Sequence, residues 1–156
     1  MNYQGITPTS FNNGEGMRTV LWVSGCEHHC KCCQNPDTWN PNSGKLFDAQ
    51  AKVELFKALN RKYIDGLTLS GGDPLHPANI DAVTTLVMEF REEFPEKNIW
   101  LYTGYNYECV RNLELMKYVD VVVDGRFVAE LADKASKYTG SANQRIIHVK
   151  ELHNGE

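Results

Sequence analysis

The stretch that decides the fold is TVLWVSGCEHHCKCC, residues 19–33: an apolar run, a glycine, then four cysteines within eight residues. A short apolar run closed by Gly25 reads as a buried strand, here residues 19–24. Downstream, residues 66–70 (GLTLS) repeat the pattern and are closed by Gly71 and Gly72. Helical spacing fills the interval. Over residues 47–63, Val53, Phe56, Leu59 and Tyr63 fall on one face, and Asp48 reads as the N-cap. A second helix is expected over 80–94, with Ile80, Val83, Val87, Phe90 and Phe94 in register and Pro95 at its end. Residues 99–103 give a third strand, 107–117 a shorter helix, 119–123 a fourth strand and 145–149 a fifth.

Alternating strands and helices imply an α/β domain with a mainly parallel sheet. The 156 residues are too few for eight βα units, which take about 200 residues or more. The expected architecture is therefore an incomplete, TIM-like β/α barrel or open sheet. Residues 1–156 are expected to form a single domain, with no repeat or linker to divide them. Sites in such folds form at the C-terminal ends of the strands. The cysteine cluster follows the first strand, and Gly71-Gly72-Asp73-Pro74 the second. Gly104-Tyr105 follows the third, and Asp124-Gly125 the fourth. These segments are expected to meet on one rim.

Composition narrows the function. The chain is 42% hydrophobic with a net charge of −4, enough for a core and without a basic footprint for nucleic acid. Residues 1–10 are polar and lack a signal pattern. The longest apolar stretches, such as 119–123, are too short to span a bilayer. A soluble cytoplasmic protein is expected, with no membrane partner. The cysteines are Cys26, Cys30, Cys32, Cys33 and Cys109. An odd, clustered set in a reducing compartment reads as a metal or redox site rather than a disulfide framework. C-x3-C-x2-C suits an iron–sulfur cluster, and three ligands would leave one iron open. Zinc, with His28, His29 or His76 completing a tetrahedron, is the alternative that residue types alone leave standing. His28 and His29 read as solvated spacers, and Cys109 as a buried small side chain. Gly-Gly-Asp-Pro is by itself also a good turn sequence.

Taken in order and spacing, these motifs resemble the radical S-adenosylmethionine superfamily. Gly71-Gly72-Asp73-Pro74 is similar to its Gly-Gly-Glu-Pro motif. Asn13-Gly14-Glu15-Gly16-Met17-Arg18 is similar to the D-G-P-G-x-R lead-in of glycyl-radical-enzyme activases. Asn35, Trp39, GLTLSGGDPL (66–75) and WLYTGY (100–105) resemble the branch that activates anaerobic ribonucleotide reductases. The resemblance covers residues 13–126. Cys32 departs from it, standing where many members carry an aromatic against adenine. Asp73 replaces Glu, and Glu15 replaces Pro.

The resemblance implies that Cys26, Cys30 and Cys33 hold a [4Fe–4S] cluster whose open iron chelates S-adenosyl-L-methionine. One electron would cleave the sulfonium to methionine and a 5′-deoxyadenosyl radical. No side chain would act as acid or base, because the cluster and cofactor carry the chemistry. Cys32, Cys33 and Gln34 would border the cofactor. Gly71 and Gly72 would let the backbone approach it, with carbonyls accepting from the methionine ammonium. Asp73 would add charge, with Pro74 completing the motif. Thr103 and Asp124 would reach the ribose or methionine part; for Asp124 a turn or cap role is equally open. Tyr105 and Tyr107 would stack on adenine or cover the core. Arg18 would pair with a carboxylate or lie solvated. The implied partners are the large subunit of an anaerobic ribonucleoside-triphosphate reductase and a reduced flavodoxin or similar electron donor. A radical enzyme with a small-molecule substrate, of the deazaguanine synthase type, and a zinc-binding interaction module are the competing functions.

Overall fold

The computed structural model describes residues 1–33 and 36–154. Its framework is one seven-stranded sheet: β1 (Asn2–Ser10), β2 (Arg18–Val23), β3 (Lys45–Leu46), β4 (Gly66–Gly71), β5 (Asn98–Tyr102), β6 (Val121–Asp124) and β7 (Arg145–His148). The spatial order is β3-β1-β2-β4-β5-β6-β7. The four central strands β2, β4, β5 and β6 run parallel. The flanking pairs β3–β1, β1–β2 and β6–β7 are antiparallel. The molecule is thus mixed α/β, with the parallel core that the strand–helix alternation predicts.

Parallel neighbours need long crossovers, and helices supply two of them. α1 (Ala49–Leu59) joins β3 to β4, and α2 (Ile80–Glu93) joins β4 to β5. Strand side chains alternate between faces. Leu21, Val23, Leu67, Leu69, Ile99, Leu101 and Val122 point to one face, and with the helices they form the main core. The opposite face carries a small cluster of Trp100, Val121 and Val123, packed by Tyr102, Tyr138 and Ile146.

Asp48 caps α1 as its sequence position predicts, its Oδ1 accepting from the Ala51 N–H at 2.9 Å. The buried face of α1 agrees with the expected one at Leu59 and at Phe56, which packs against the core, and differs at Val53 and Tyr63. Ala51, Leu55 and Leu59 are buried, whereas Val53 is 59% and Tyr63 54% exposed. The Asp48 cap fixes the helix start, the helix ends at Leu59 with Asn60 as its cap, and Tyr63 lies beyond it.

The expected helix over 107–117 is two short pieces, α3 (Tyr107–Val110) and a 3₁₀ turn (Glu114–Lys117), separated at the extended Leu113. The last strand is shorter than expected because α4 (Val149–Asn154) begins at Val149. β1 is an addition that the sequence pattern does not announce. It is polar and carries Pro8 where the register shifts between Thr7 and Ser10, a place where proline costs no ladder bond.

Candidate active site

The segments that follow the four parallel strands meet on one rim, stitched by backbone hydrogen bonds. Gly72 N–H donates to Val23 O at 2.8 Å and Asp73 N–H to Gly25 O at 2.6 Å. Thr103 N–H donates to Val123 O at 3.0 Å, and Gly125 N–H to Tyr105 O at 3.3 Å.

The cysteine loop leaves β2 through Gly25, whose φ is +105°. Gly25 and Cys26 N–H groups donate to the carbonyls of Thr38 and Trp39. The chain then reverses through left-handed backbone at His29 (φ 47°) and Cys32 (φ 58°), conformations uncommon for these residue types. Cys26, Cys30 and Cys33 are half-buried and outside any disulfide, and Cys32 is exposed. Burial pushes the Cys26 thiol up, while the backbone N–H groups of His28 and His29 pull it down. His28 is engaged rather than a solvated spacer, whereas His29 is exposed as expected. His29 stacks on Trp39 at 4.4 Å. His28, its side chain 3% exposed, bonds Asp73 Oδ2 through Nε2 at 2.7 Å. Cys109, expected to be buried, is exposed on α3.

The glycine pair is explained by the protein's own backbone. A Cβ on Gly71 (φ +111°) would lie 2.6 Å from both the N and O of Val23, and one on Gly72 2.5 Å from Gly25 O. Both residues are small so that the second loop can lie against the first. Asp73 is 1% exposed and accepts from four donors. Oδ2 receives His28 Nε2, the Thr103 hydroxyl (3.1 Å) and Gly104 N–H (2.9 Å), and Oδ1 receives Leu75 N–H (2.9 Å). Pro74 is buried beside it. Thr103, besides donating to Asp73, accepts from Tyr105 N–H. Asp124, also 1% exposed, accepts from Tyr107 N–H at 2.7 Å at the start of α3 and pairs with Arg145 at 2.5 Å. Gln34 lies outside the described residues.

Arg18 is not solvated, and it pairs with no carboxylate among the described residues. It is fully buried and donates to Thr68 Oγ1 and to the carbonyls of Glu15, Leu67 and Asn98. Burial lowers its pKa to about 10, so it stays charged at neutral pH. Its guanidinium lies over the Trp100 ring at 5.6 Å.

Cys33 borders a cavity of about 300 Å³ on the sheet face away from α1 and α2. Strand residues Trp22, Ser70 and Tyr102 line it, with Asn12, Asn13, Phe127 and Tyr138. None of its described lining residues is charged. Another hollow, about 340 Å³, lies between α1 and α2 and contains no thiol.

The donor set fits an iron–sulfur cluster. Three thiols share one short loop, and backbone N–H groups are directed at one sulfur, a contact that tunes such clusters. Among the described residues no three His, Cys, Asp or Glu side chains gather around a single-ion point. A cubane does not require that gathering, since each thiolate binds a different iron.

Comparison with known proteins identifies the class first: residues 12–147 match the family model described as a 4Fe-4S single cluster domain. The chain is 48% identical over 146 residues to the anaerobic ribonucleoside-triphosphate reductase-activating protein of Enterobacteria phage T4, covering 94% of this chain and 93% of that one. It is 43% identical to the protein of the same name from Haemophilus influenzae (97% and 100% covered) and 40% identical to that of Escherichia coli K12 (96% and 100%). At that identity and coverage the chain belongs to the family of anaerobic ribonucleoside-triphosphate reductase-activating proteins, built on a 4Fe-4S single cluster domain.

Proposed function

We propose that this protein is a radical S-adenosylmethionine activase that installs a glycyl radical on an anaerobic ribonucleoside-triphosphate reductase. The observation that carries the proposal is the position of Cys33 in the wall of an uncharged cavity at the C-terminal ends of parallel strands. Cys26, Cys30 and Cys33 would hold the [4Fe–4S] cluster, with Cys32 a spare thiol. When bound and reduced, the cluster supplies the electron that cleaves S-adenosylmethionine and so starts hydrogen-atom removal from a glycine Cα.

The chain's own residues do the rest. The Gly71–Pro74 loop packs against the cysteine loop, and the Gly71 and Gly72 carbonyls would accept from the methionine ammonium. Thr103 and Asp124 hold the rim's other segments in place. Asn12 and Asn13 offer amides that suit a peptide backbone, and Trp22 and Tyr102 exclude water. We read the open sheet as part of a β/α barrel and residues 1–156 as one domain. A reduced flavodoxin-type carrier in the cytoplasm would be the electron donor. No helix among the described residues is long and apolar enough to cross a membrane.

The test is anaerobic reconstitution with iron and sulfide, then reduction by dithionite with S-adenosylmethionine. Methionine and 5′-deoxyadenosine are expected, and a glycyl-radical signal once the reductase is added. Cys26→Ser, Cys30→Ser and Cys33→Ser should each lose the cluster, and Cys32→Ser should keep it. A reducible cluster that cleaves nothing even with the reductase present would refute the activase. Bound zinc in a colourless protein would favour the interaction module.

A further inference from the structure

His28 belongs to the cysteine loop and Asp73 to the glycine loop, 45 residues apart in sequence. Their bond is a side-chain link between the two loops that is shielded from water, with 3% and 2% of the two side chains exposed. The ring is keyed in place. A Cβ on Gly104 would overlap its Cδ2–Nε2 edge, and Tyr105 packs edge-on at 4.5 Å. Asp73 also receives Thr103 and Gly104, so the segment after β5 joins the same carboxylate. Because that carboxylate only accepts, Nε2 of His28 carries the proton. Nδ1 is buried and has no partner among the described residues. Hydrogen-bonded groups just outside a metal site's ligands orient those ligands and fix the site's geometry.

Resting on the activase reading, we propose that His28 is a positioning residue. Held by Asp73, it fixes the cysteine loop against the glycine loop so that the cluster's open iron and the cofactor site keep one spacing. Asp73 acts as the hub rather than as a ligand contact, and its shorter side chain is matched by the reach of the imidazole.

The test compares wild type, His28→Ala and His28→Gln after anaerobic reconstitution. Iron and labile sulfide are assayed first. The affinity for S-adenosylmethionine is then read from the change it causes in the electron paramagnetic resonance spectrum of the reduced cluster. His28→Ala should contain the wild-type iron and sulfide but bind S-adenosylmethionine about 10–100-fold more weakly, the usual cost of losing such a partner. His28→Gln, whose amide can still donate to Asp73, should recover most of that loss. Wild-type affinity in His28→Ala would overturn the proposal. Loss of the cluster in His28→Gln would also overturn it, by making His28 a ligand. A wild-type spectrum that S-adenosylmethionine leaves unchanged would instead refute the activase reading itself.

Discussion

Replacing Gly71 by alanine tests why the glycine loop is built as it is. Gly71 has φ +111°, and its missing Cβ would sit 2.6 Å from two backbone atoms of Val23 and 2.9 Å from the Trp22 carbonyl carbon. An L-residue in such a conformation costs about 1–3 kcal/mol. Overpacking costs about 1–3 kcal/mol more, and here the neighbours are backbone of a central strand, which cannot rotate away. The sum is about 2–6 kcal/mol, a large share of the roughly 5–15 kcal/mol typical of a domain. With a urea slope of about 2 kcal/mol/M, the unfolding midpoint of Gly71→Ala should fall by about 1–3 M. Gly5→Ala is the control, because nothing lies within 4 Å of its Cβ position. It should move the midpoint by no more than about 0.5 M, in the stabilising direction if at all. Equal midpoints for the two variants would show that the close approach of Gly71 to the β2 backbone does not require a glycine.

Leu55→Ala should cost about 2–5 kcal/mol, whereas Val53→Ala, at a site 59% exposed, should stay within about 0.5 kcal/mol; the reverse order in urea melts would restore the face predicted from sequence. Asp48→Ala should lose about 1 kcal/mol and Asp48→Asn much less, and equal losses would show that the cap bond contributes nothing. Hydrogen bonds from Arg145 hold the Glu108 carboxyl at about 2, below its ordinary 4.5. A depressed acid contributes stability above the ordinary value and loses it as pH falls through the folded one, so Glu108→Gln should flatten the melting temperature between pH 4.5 and 2. Parallel acid limbs for wild type and variant would count against it.

The central strands were legible because they are buried on both faces, and such strands are written as continuous apolar runs. The rim followed from those strands alone. β1 was illegible for the opposite reason: its polar residues, Gly5 and Pro8 lack a period-two signal, and its place is set by pairing with β2. The face of α1 was legible at Phe56 and Leu59 and misjudged at its edges, because the conspicuous apolar residues Val53 and Tyr63 lie outside while the small Ala51 makes the contact.

Sequence position located the candidate site but could not divide its labour. Asp73 and Asp124 both follow strand ends, and both are acids where a cofactor contact is expected. What decides their part is the number of donors already aimed at them, a quantity set by residues far away in sequence. Four donors reach Asp73; Tyr107 and Arg145 reach Asp124. Each acid is nearly sealed from water, so neither has spare capacity facing the rim. The thiols of the cysteine loop are not in disulfides, and three of them are half-buried. The acids therefore hold the segments of the rim together, and under the proposed function sulfur and backbone carbonyls would be left to meet the cofactor. This division gives to a histidine without a recognisable motif signature, His28, a buried side-chain bond that supplements the backbone bonds between the two loops.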